Sequence, residues 1–359
     1  MRHIMENHDG SYELLLLGDL HFDAPAYHVR EPANEVQKRG RLRNFEMWNV
    51  KSQDLLKDAA SRSGGAQWVI QLGDLSQGDG DDVDLQSAML GDAIACVKKN
   101  FPGKKFLPVI GNHDLRLLDS YPRWNEYDEN GDCVFAAGGD YRPIRRTLLP
   151  YIADELGLAA VPPSLDYVLH RGDDLYIFID PFKPGGATEF IREALRETPD
   201  SRRVFVVSHV ALFPCEPYRP WAMWVLPDYP KLIELLAPRN TIMLAGHTHY
   251  NHFIRYRHST GVITQLVLSS MGTNWRVDPL RPTTQNYADF ARSMSPFLEG
   301  RSREFLPDEN YLEHRTWRCF DGEKPSSATG YAILKVTPDA VTAEIYDGGD
   351  APAQTLKLA

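Results

Sequence analysis

No run in this chain approaches the roughly 18 consecutive apolar residues that a bilayer-spanning helix needs. Cysteine is scarce as well. Cys96, Cys133, Cys215 and Cys319 are widely spaced with no CxxC pair, which leaves neither a disulfide framework nor a Cys-built zinc site. Four apolar thiols fit a reducing compartment. Positive charge is short: 39 Lys and Arg stand against 49 Asp and Glu, a formal net charge of -10. So acidic a chain is a poor general binder of polyanions, and neither long nucleic acid nor an anionic membrane is an expected partner. A locally positive pocket for a small phosphate ester stays open. Repeats, coiled-coil heptads and low-complexity tracts are missing, and nothing points to an obligate protein partner. The opening "MRHIMENHDGSYELLLLGDL" lacks a signal-peptide h-region, because its "LLLL" stops at Gly18-Asp19. A soluble cytoplasmic protein is the expectation, with a secreted or periplasmic protein shorn of its leader as the alternative.

What remains is ordinary globular material, 43% hydrophobic and 25% charged over 359 residues. Short apolar runs bounded by turn residues read as buried strands: Glu13–Leu17, Gln67–Leu72, Lys105–Ile110, Arg203–Ser208 and Thr241–Ala245. Helix-like stretches, "RLRNFEMWNVKSQDLLKDAA" and "DLQSAMLGDAIACVKKN", separate the first three. Strand alternating with helix predicts an α/β sheet with crossovers. In such sheets ligands gather just beyond the carboxyl ends of the strands.

All five strands run into Asp, Asn or His at that end. "GDLH" follows the first, "GDLS" the second, "GNHD" the third, His209 the fourth and "GHTH" the fifth. Any one of these is a common loop sequence. Five in series, each at a strand end, predict one site assembled from distant parts of the chain. Its members would be Asp19, His21, Asp74, Asn112, His209, His247 and His249. Two carboxylates, a carboxamide oxygen and four imidazoles suit Mn, Fe, Zn or Co. A Ca²⁺ cage would be richer in oxygen. The donors suffice for two ions sharing a carboxylate, an arrangement that can clamp a phosphoryl group and generate hydroxide near neutral pH.

With these motifs in this order, the chain resembles the calcineurin-like metallophosphoesterases from Tyr12 to about Asp347. The resemblance implies an αββα sandwich, two packed mixed β-sheets flanked by helices. It also implies two divalent or mixed-valence metal ions. Asp19, His21 and His249 would hold one, Asn112, His209 and His247 the other, and Asp74 would bridge them. Hydroxide between the ions would attack phosphorus. His113 would protonate the leaving oxygen, with Asp114 orienting its ring. Arg116 would either touch a phosphate oxygen or lie exposed to solvent. Both phosphomonoesters and phosphodiesters are substrates within this family. A nuclease of the same fold, or a non-catalytic interaction module built on it, is the alternative reading.

The remaining residues are expected to be structural. Residues 1–11 form an extension, 12–350 a single domain and 351–359 a tail. Loop insertions are placed at about 115–163, 211–230 and 275–329, and Trp221, Trp224, Tyr218 and Tyr229 make the second one aromatic. Either it walls an organic leaving group or its rings pack on the domain. "DLYIFID" (Asp174–Asp180) reads as an inner strand ending in a structural Asp180. "GYAILKVTPDAVTAEIYD" (Gly330–Asp347) reads as a strand pair resembling the one that closes the second sheet. "LVLSSMGTN" (Leu266–Asn274) should bring a Ser-rich loop near the metals. His3, His8, His28, His170, His252, His258 and His314 are expected to be structural, His252 being the closest in sequence to the proposed ligands.

Overall fold

The computed structural model describes residues 10–31, 52–118, 139–183, 186–213, 229–249, 251–271, 311–317, 330–346 and 348–359, with Lys38, Arg41, Leu42, Phe45, Trp48 and Leu226. The strands are β1 (Tyr12–Leu17), β2 (Ala66–Gln71), β3 (Lys105–Pro108), β4 (Tyr167–Arg171), β5 (Asp174–Phe178), β6 (Arg203–Val207) and β7 (Ile242–Ala245). They continue as β8 (Asn251–His258), β9 (Gly261–Val267), β10 (Tyr311–Trp317), β11 (Tyr331–Val336), β12 (Val341–Tyr346) and β13 (Gln354–Lys357). All five expected strands are present to within two residues at either end. Among the described residues two mixed sheets form, in the orders β13-β12-β11-β1-β2-β3 and β10-β8-β9-β7-β6-β5-β4. No described helix is long and apolar enough to cross a membrane.

The central strands are parallel, β1 with β2 with β3 and β5 with β6 with β7. A strand buried on both faces must be apolar at every position rather than alternate. Leu14–Leu17 and Val204–Val207 meet that condition with no exposed surface. By contrast β12 alternates, with Thr342 and Glu344 facing outward at the sheet's margin. The sheets meet through aromatic rings: Trp68 of the first sheet lies edge-on to Tyr176 of the second, which stacks on Phe205 at 4.4 Å between centroids.

Helices cover the outer faces. They are α1 (Gln53–Arg62), α2 (Val83–Asn100), α3 (Arg142–Arg146), α4 (Leu148–Leu156), α5 (Thr188–Glu197) and α6 (Tyr229–Leu236). In α2 the Asp82 carboxylate caps the first turn by accepting from Leu85 N, and Lys98 and Lys99 complement the dipole in the last. Its buried residues Gln86, Met89, Leu90, Ala93, Ile94 and Val97 recur at helical spacing. The first expected helix appears only as α1. Most of its expected part before Ser52 lies outside the described residues.

Three placements differ from expectation. The β11–β12 hairpin joins the sheet of β1, through antiparallel pairing of Tyr12 with Val336 down to Leu17 with Tyr331. β1 runs beside β2 on one edge, and β11 of the hairpin pairs with its other edge, which would otherwise be open. Residues 351–359 are not a tail: β13 extends this sheet, and Leu356 and Leu358 are buried. The long insertion at 275–329 contains β10, paired with β8. Its alternation was masked by charged and polar residues in "YLEHRTW". The aromatic residues Tyr218, Trp221 and Trp224 lie outside the described residues, as do Cys133, Cys215 and Cys319.

The amino ends of the central strands are closed by a polar cluster. Tyr12 donates to Asp174 Oδ2 at 2.6 Å and lies 2.9 Å from Tyr176 Oη, so β1 of one sheet is tied to β5 of the other. Arg202 and Arg203 complete the set at 3.1 and 3.3 Å from Asp174 Oδ2. Asp174 is fully buried, so deleting its charge strands two cations and takes away the acceptor of the Tyr12 hydroxyl. Asp174→Ala is expected to cost about 3 kcal/mol in urea unfolding, the low end of the range because Arg202 is 30% exposed and can rehydrate. Metal stoichiometry, measured on the same preparation, should not change.

Candidate metal centre

The opposite ends of these strands carry the predicted ligands. Asp19 follows β1, Asp74 follows β2, Asn112 lies beyond β3, His209 follows β6, and His247 and His249 follow β7. To turn donors inward, the backbone takes the left-handed conformation at His21 (φ 50°), Asp74 (φ 53°), His247 (φ 74°) and His249 (φ 58°). Among the described non-glycine residues only Asp79 and Asn240 share it. Each such residue costs on the order of 1–2 kcal/mol. Four of them at one point are a strain that packing alone does not call for.

The glycines of the motifs permit close approach. A Cβ on Gly111 would fall 2.0 Å from Asp74 N and 2.2 Å from Asp74 Oδ1. One on Gly73, whose φ is 90°, would fall 2.4 Å from Nδ1 of His209. The loops after β2, β3 and β6 are in contact there, and only glycine leaves room.

The donor atoms form two groups that share Asp74. In the first, His249 Nε2 lies 3.1 Å from Asp19 Oδ2 and 3.0 Å from His21 Nε2, which is 3.9 Å from Asp74 Oδ2. In the second, Asn112 Oδ1 lies 3.0 Å from both His209 Nε2 and His247 Nδ1. These two nitrogens are 3.1 Å apart, and His209 Nε2 is 3.4 Å from Asp74 Oδ2. Two donors each about 2.1 Å from one ion, at a right angle, stand about 3.0 Å apart, so these are the edges of coordination polyhedra.

Tautomers support that assignment. His209 Nδ1 lies 2.8 Å from the carbonyl of Leu72, which can only accept, so Nδ1 carries a proton and Nε2 faces the group. Burial pulls the His209 imidazole down, but Asp74 and Asp19 outweigh it and hold it up at about 9. Burial and the neighbouring His209 push His247 down to about 3. Burial also takes His21 down to about 4, against the pull of Asp74. For Asp74, burial works upward, yet His209 and His113 win and keep the carboxylate well below its ordinary range. The carboxylates beside His209 thus favour its charged form, a position that a bound cation would take over. The donor set therefore fits a pair of borderline divalent ions, and a buried Asp/His metal-binding cluster is present.

His113 stands at the rim. Its Nε2 is 4.0 Å from Asp74 Oδ2, and with 15% of the side chain exposed it joins His249, at 13%, on the open side. Its Nδ1 donates to the carbonyl of Gln77 at 2.6 Å, and its backbone N–H donates to Asp74 Oδ1 at 2.7 Å.

The roles expected of Asp114 and Arg116 change. Asp114 does not orient the His113 ring. Its carboxylate accepts from Ser76 N (2.8 Å), Gly111 N (2.9 Å), Ser76 Oγ (3.1 Å) and Leu75 N (3.3 Å). Successive residues of the single turn His113–Leu115 project about 120° apart, so one faces the donor groups and the next faces the loop behind. Burial, then Asp74, push the Asp114 carboxyl up to about 7. The group that orients His113 is the Gln77 backbone, which no side-chain pattern announces. Arg116 is not solvent-exposed: 97% buried, it is held by Asp79 through Nη2 at 2.7 and 2.8 Å and Nε at 3.1 Å.

Other expectations place as follows. The Ser-rich loop does reach the ligands, with Ser269 Oγ donating to His249 O and Met271 N to Asp19 O, and its residues from Gly272 onward lie outside the described set. Asp180 is no ligand, its Oδ1 accepting from Phe182 N and Tyr141 Oη. His252 is fully buried beside Gln265, and His28 pairs with Asp23.

Two solved structures share the fold. A purple acid phosphatase, PPD1, from yellow lupin (Lupinus luteus) seeds superposes with a TM-score of 0.55 at 13% identity, over 98% of this chain and 55% of the lupin chain. A dimetal phosphatase from Danio rerio gives 0.52 at 14% identity, over 97% of this chain and 98% of its own. This chain therefore spans little more than half of the lupin protein's length. No curated protein matches the sequence. The model of the calcineurin-like phosphoesterase family matches residues 12–251, which is more than half of the chain and includes all seven donors of the two groups. On that match, with the sandwich and its shared Asp74, the chain belongs to the calcineurin-like phosphoesterase family.

Proposed function

We propose that this chain is a dinuclear metal-dependent phosphoesterase that hydrolyses small phosphate mono- or diesters. The observation that carries the reading is the position of Asp74 Oδ2, common to both donor groups. Asp19, His21 and His249 would hold one ion, and Asn112, His209 and His247 the other. Mn, Fe, Zn and Co all suit this mixture of nitrogen and oxygen donors. Two such ions supply Lewis acidity toward the phosphoryl oxygens and a hydroxide nucleophile near neutral pH.

The protein does the positioning. Asp19 is fixed by accepting from His247 N at 3.1 Å, and His209 by the Leu72 carbonyl. His113, outside the donor set and on the open side, presents Nε2 toward the reacting oxygen. With a proton there it serves as general acid to the leaving group, and without one it returns as a base.

Asp74→Ala should abolish both hydrolysis and the binding of two ions, measured by elemental analysis after Mn²⁺ loading. Two tightly held ions in that variant would defeat the shared-carboxylate assignment. His113→Ala should keep both ions and, on an ester with a leaving group as poor as phenolate, lose about 10²–10⁴-fold in kcat. Full turnover would remove it from the mechanism.

The class of ester is read from p-nitrophenyl phosphate and its bis-ester, assayed side by side on Mn²⁺-loaded protein. Faster turnover of the bis-ester identifies a phosphodiesterase, and the reverse a phosphatase. No turnover of either ester or of a panel of natural phosphate esters, with two ions bound, would refute the proposed activity.

A further inference from the structure

We propose that Asp79 and Arg116 form a positioning pair for His113, setting the ring at the angle from which it can protonate a leaving oxygen. The inference rests on the general-acid reading of His113 given above. Arg116 Nη1 lies 3.0 Å from both Nδ1 and Nε2 of His113. In the ring plane, a point equidistant from both nitrogens at that range would run into the carbons of the ring. The guanidinium therefore lies over the ring face, as a cation over a π system does. The edge of the His21–His113 pair, with centroids 4.6 Å apart and planes at 81°, limits the ring from another direction. The Gln77 carbonyl holds Nδ1 at 2.6 Å. Three contacts thus fix the ring, and they leave Nε2 toward the site.

Arg116 is in turn held by a loop built for it. Asp79 meets Nη2 with both carboxylate oxygens, which fixes the plane of the guanidinium as well as its position. Asp79 has φ 63°, so its loop is strained to present that carboxylate. The loop is pinned from both sides. Asp79 N donates to Arg116 O, and Leu118 N donates to Gly80 O. Behind it, His28 Nδ1 donates to Asp79 O at 3.2 Å while its Nε2 meets Asp23 Oδ1 at 2.6 Å. With Asp79 on Nε and Nη2 and the ring under Nη1, the geometry assigns Arg116 a role exerted through His113.

The test separates positioning from support of the fold. Arg116→Lys keeps the charge and loses the planar fork. The double variant Asp79→Asn/Arg116→Gln keeps the shapes and removes both charges, so no buried ion is left unpaired. Each is assayed on two aryl esters of the class that the unaltered protein cleaves, one releasing p-nitrophenolate and one releasing phenolate. Phenolate, the poorer leaving group, depends on proton donation. The expected result is a kcat loss of about 10–100-fold for the phenyl ester and under about 3-fold for the p-nitrophenyl ester. KM should be unchanged and both ions retained.

A second readout is independent of turnover. In ¹H–¹⁵N spectra of the zinc-loaded protein the His113 Nδ1–H proton, bonded to a carbonyl, should lose its downfield shift in the variants. Equal losses on both esters, a rise in KM alone, or an unchanged His113 resonance would overturn the proposal. Failure of the general-acid reading itself shows elsewhere, as equal rates for His113→Ala and the unaltered protein on the phenyl ester.

Discussion

One oxygen, Asp74 Oδ2, ties the two halves of the site together, at 3.4 Å from His209 Nε2 and 3.9 Å from His21 Nε2. Everything around it serves to keep a carboxylate there in its charged form. Burial opposes that charge, and imidazoles from the loops after β6, β3 and β1 outweigh burial. The other oxygen, Oδ1, is spent on the His113 N–H, which sets the rotation of the carboxylate. The left-handed backbone at Asp74 and the missing Cβ at Gly111 are consequences: the carboxylate reaches its place only if the chain folds back sharply and its neighbour has no side chain.

The sandwich divides its labour along the strands. At the amino ends, Asp174 gathers the Tyr12 hydroxyl and two arginines, so its charge is met by protein. At the carboxyl ends the arrangement is the reverse. Carboxylates and imidazoles from both sheets converge there as a metal-binding cluster. Parallel strands in both sheets place all such ends on one side, and this lets residues 19 and 249 meet although 229 residues separate them in sequence. The cost of assembling that surplus of donors is borne by the aromatic and aliphatic core between the sheets and by the closed end.

Legibility in the sequence followed physical cause. Strands buried on both faces must be continuous apolar runs, and these were readable with their boundaries; so were the ligands, because a strand end in a parallel sheet is a fixed address. The hairpin of β8 and β9 and the edge strands β10 and β13 were not, since "NHFIRYRH" and "YLEHRTW" mix charge with aromatics and edge strands need only one apolar face. Asp114 shows a different limit. Its type and adjacency to His113 suggested a carboxylate–imidazole pair, but the helical turn between them sends the two side chains apart. A carbonyl, that of Gln77, took the role instead, and every residue has one.

The same limit bears on Arg116. Its sequence position, two residues past the motif, allows a phosphate contact or an exposed side chain, and a guanidinium buried between a carboxylate and an imidazole rules out the second. A cation over His113 disfavours a second positive charge on that ring: burial lowers the imidazole and Arg116 lowers it further, while Asp74 pulls the other way. What the contacts establish is geometric: Asp79 fixes the plane of the guanidinium, and Nη1 rests on the His113 ring at the rim where His113 and His249 open to solvent.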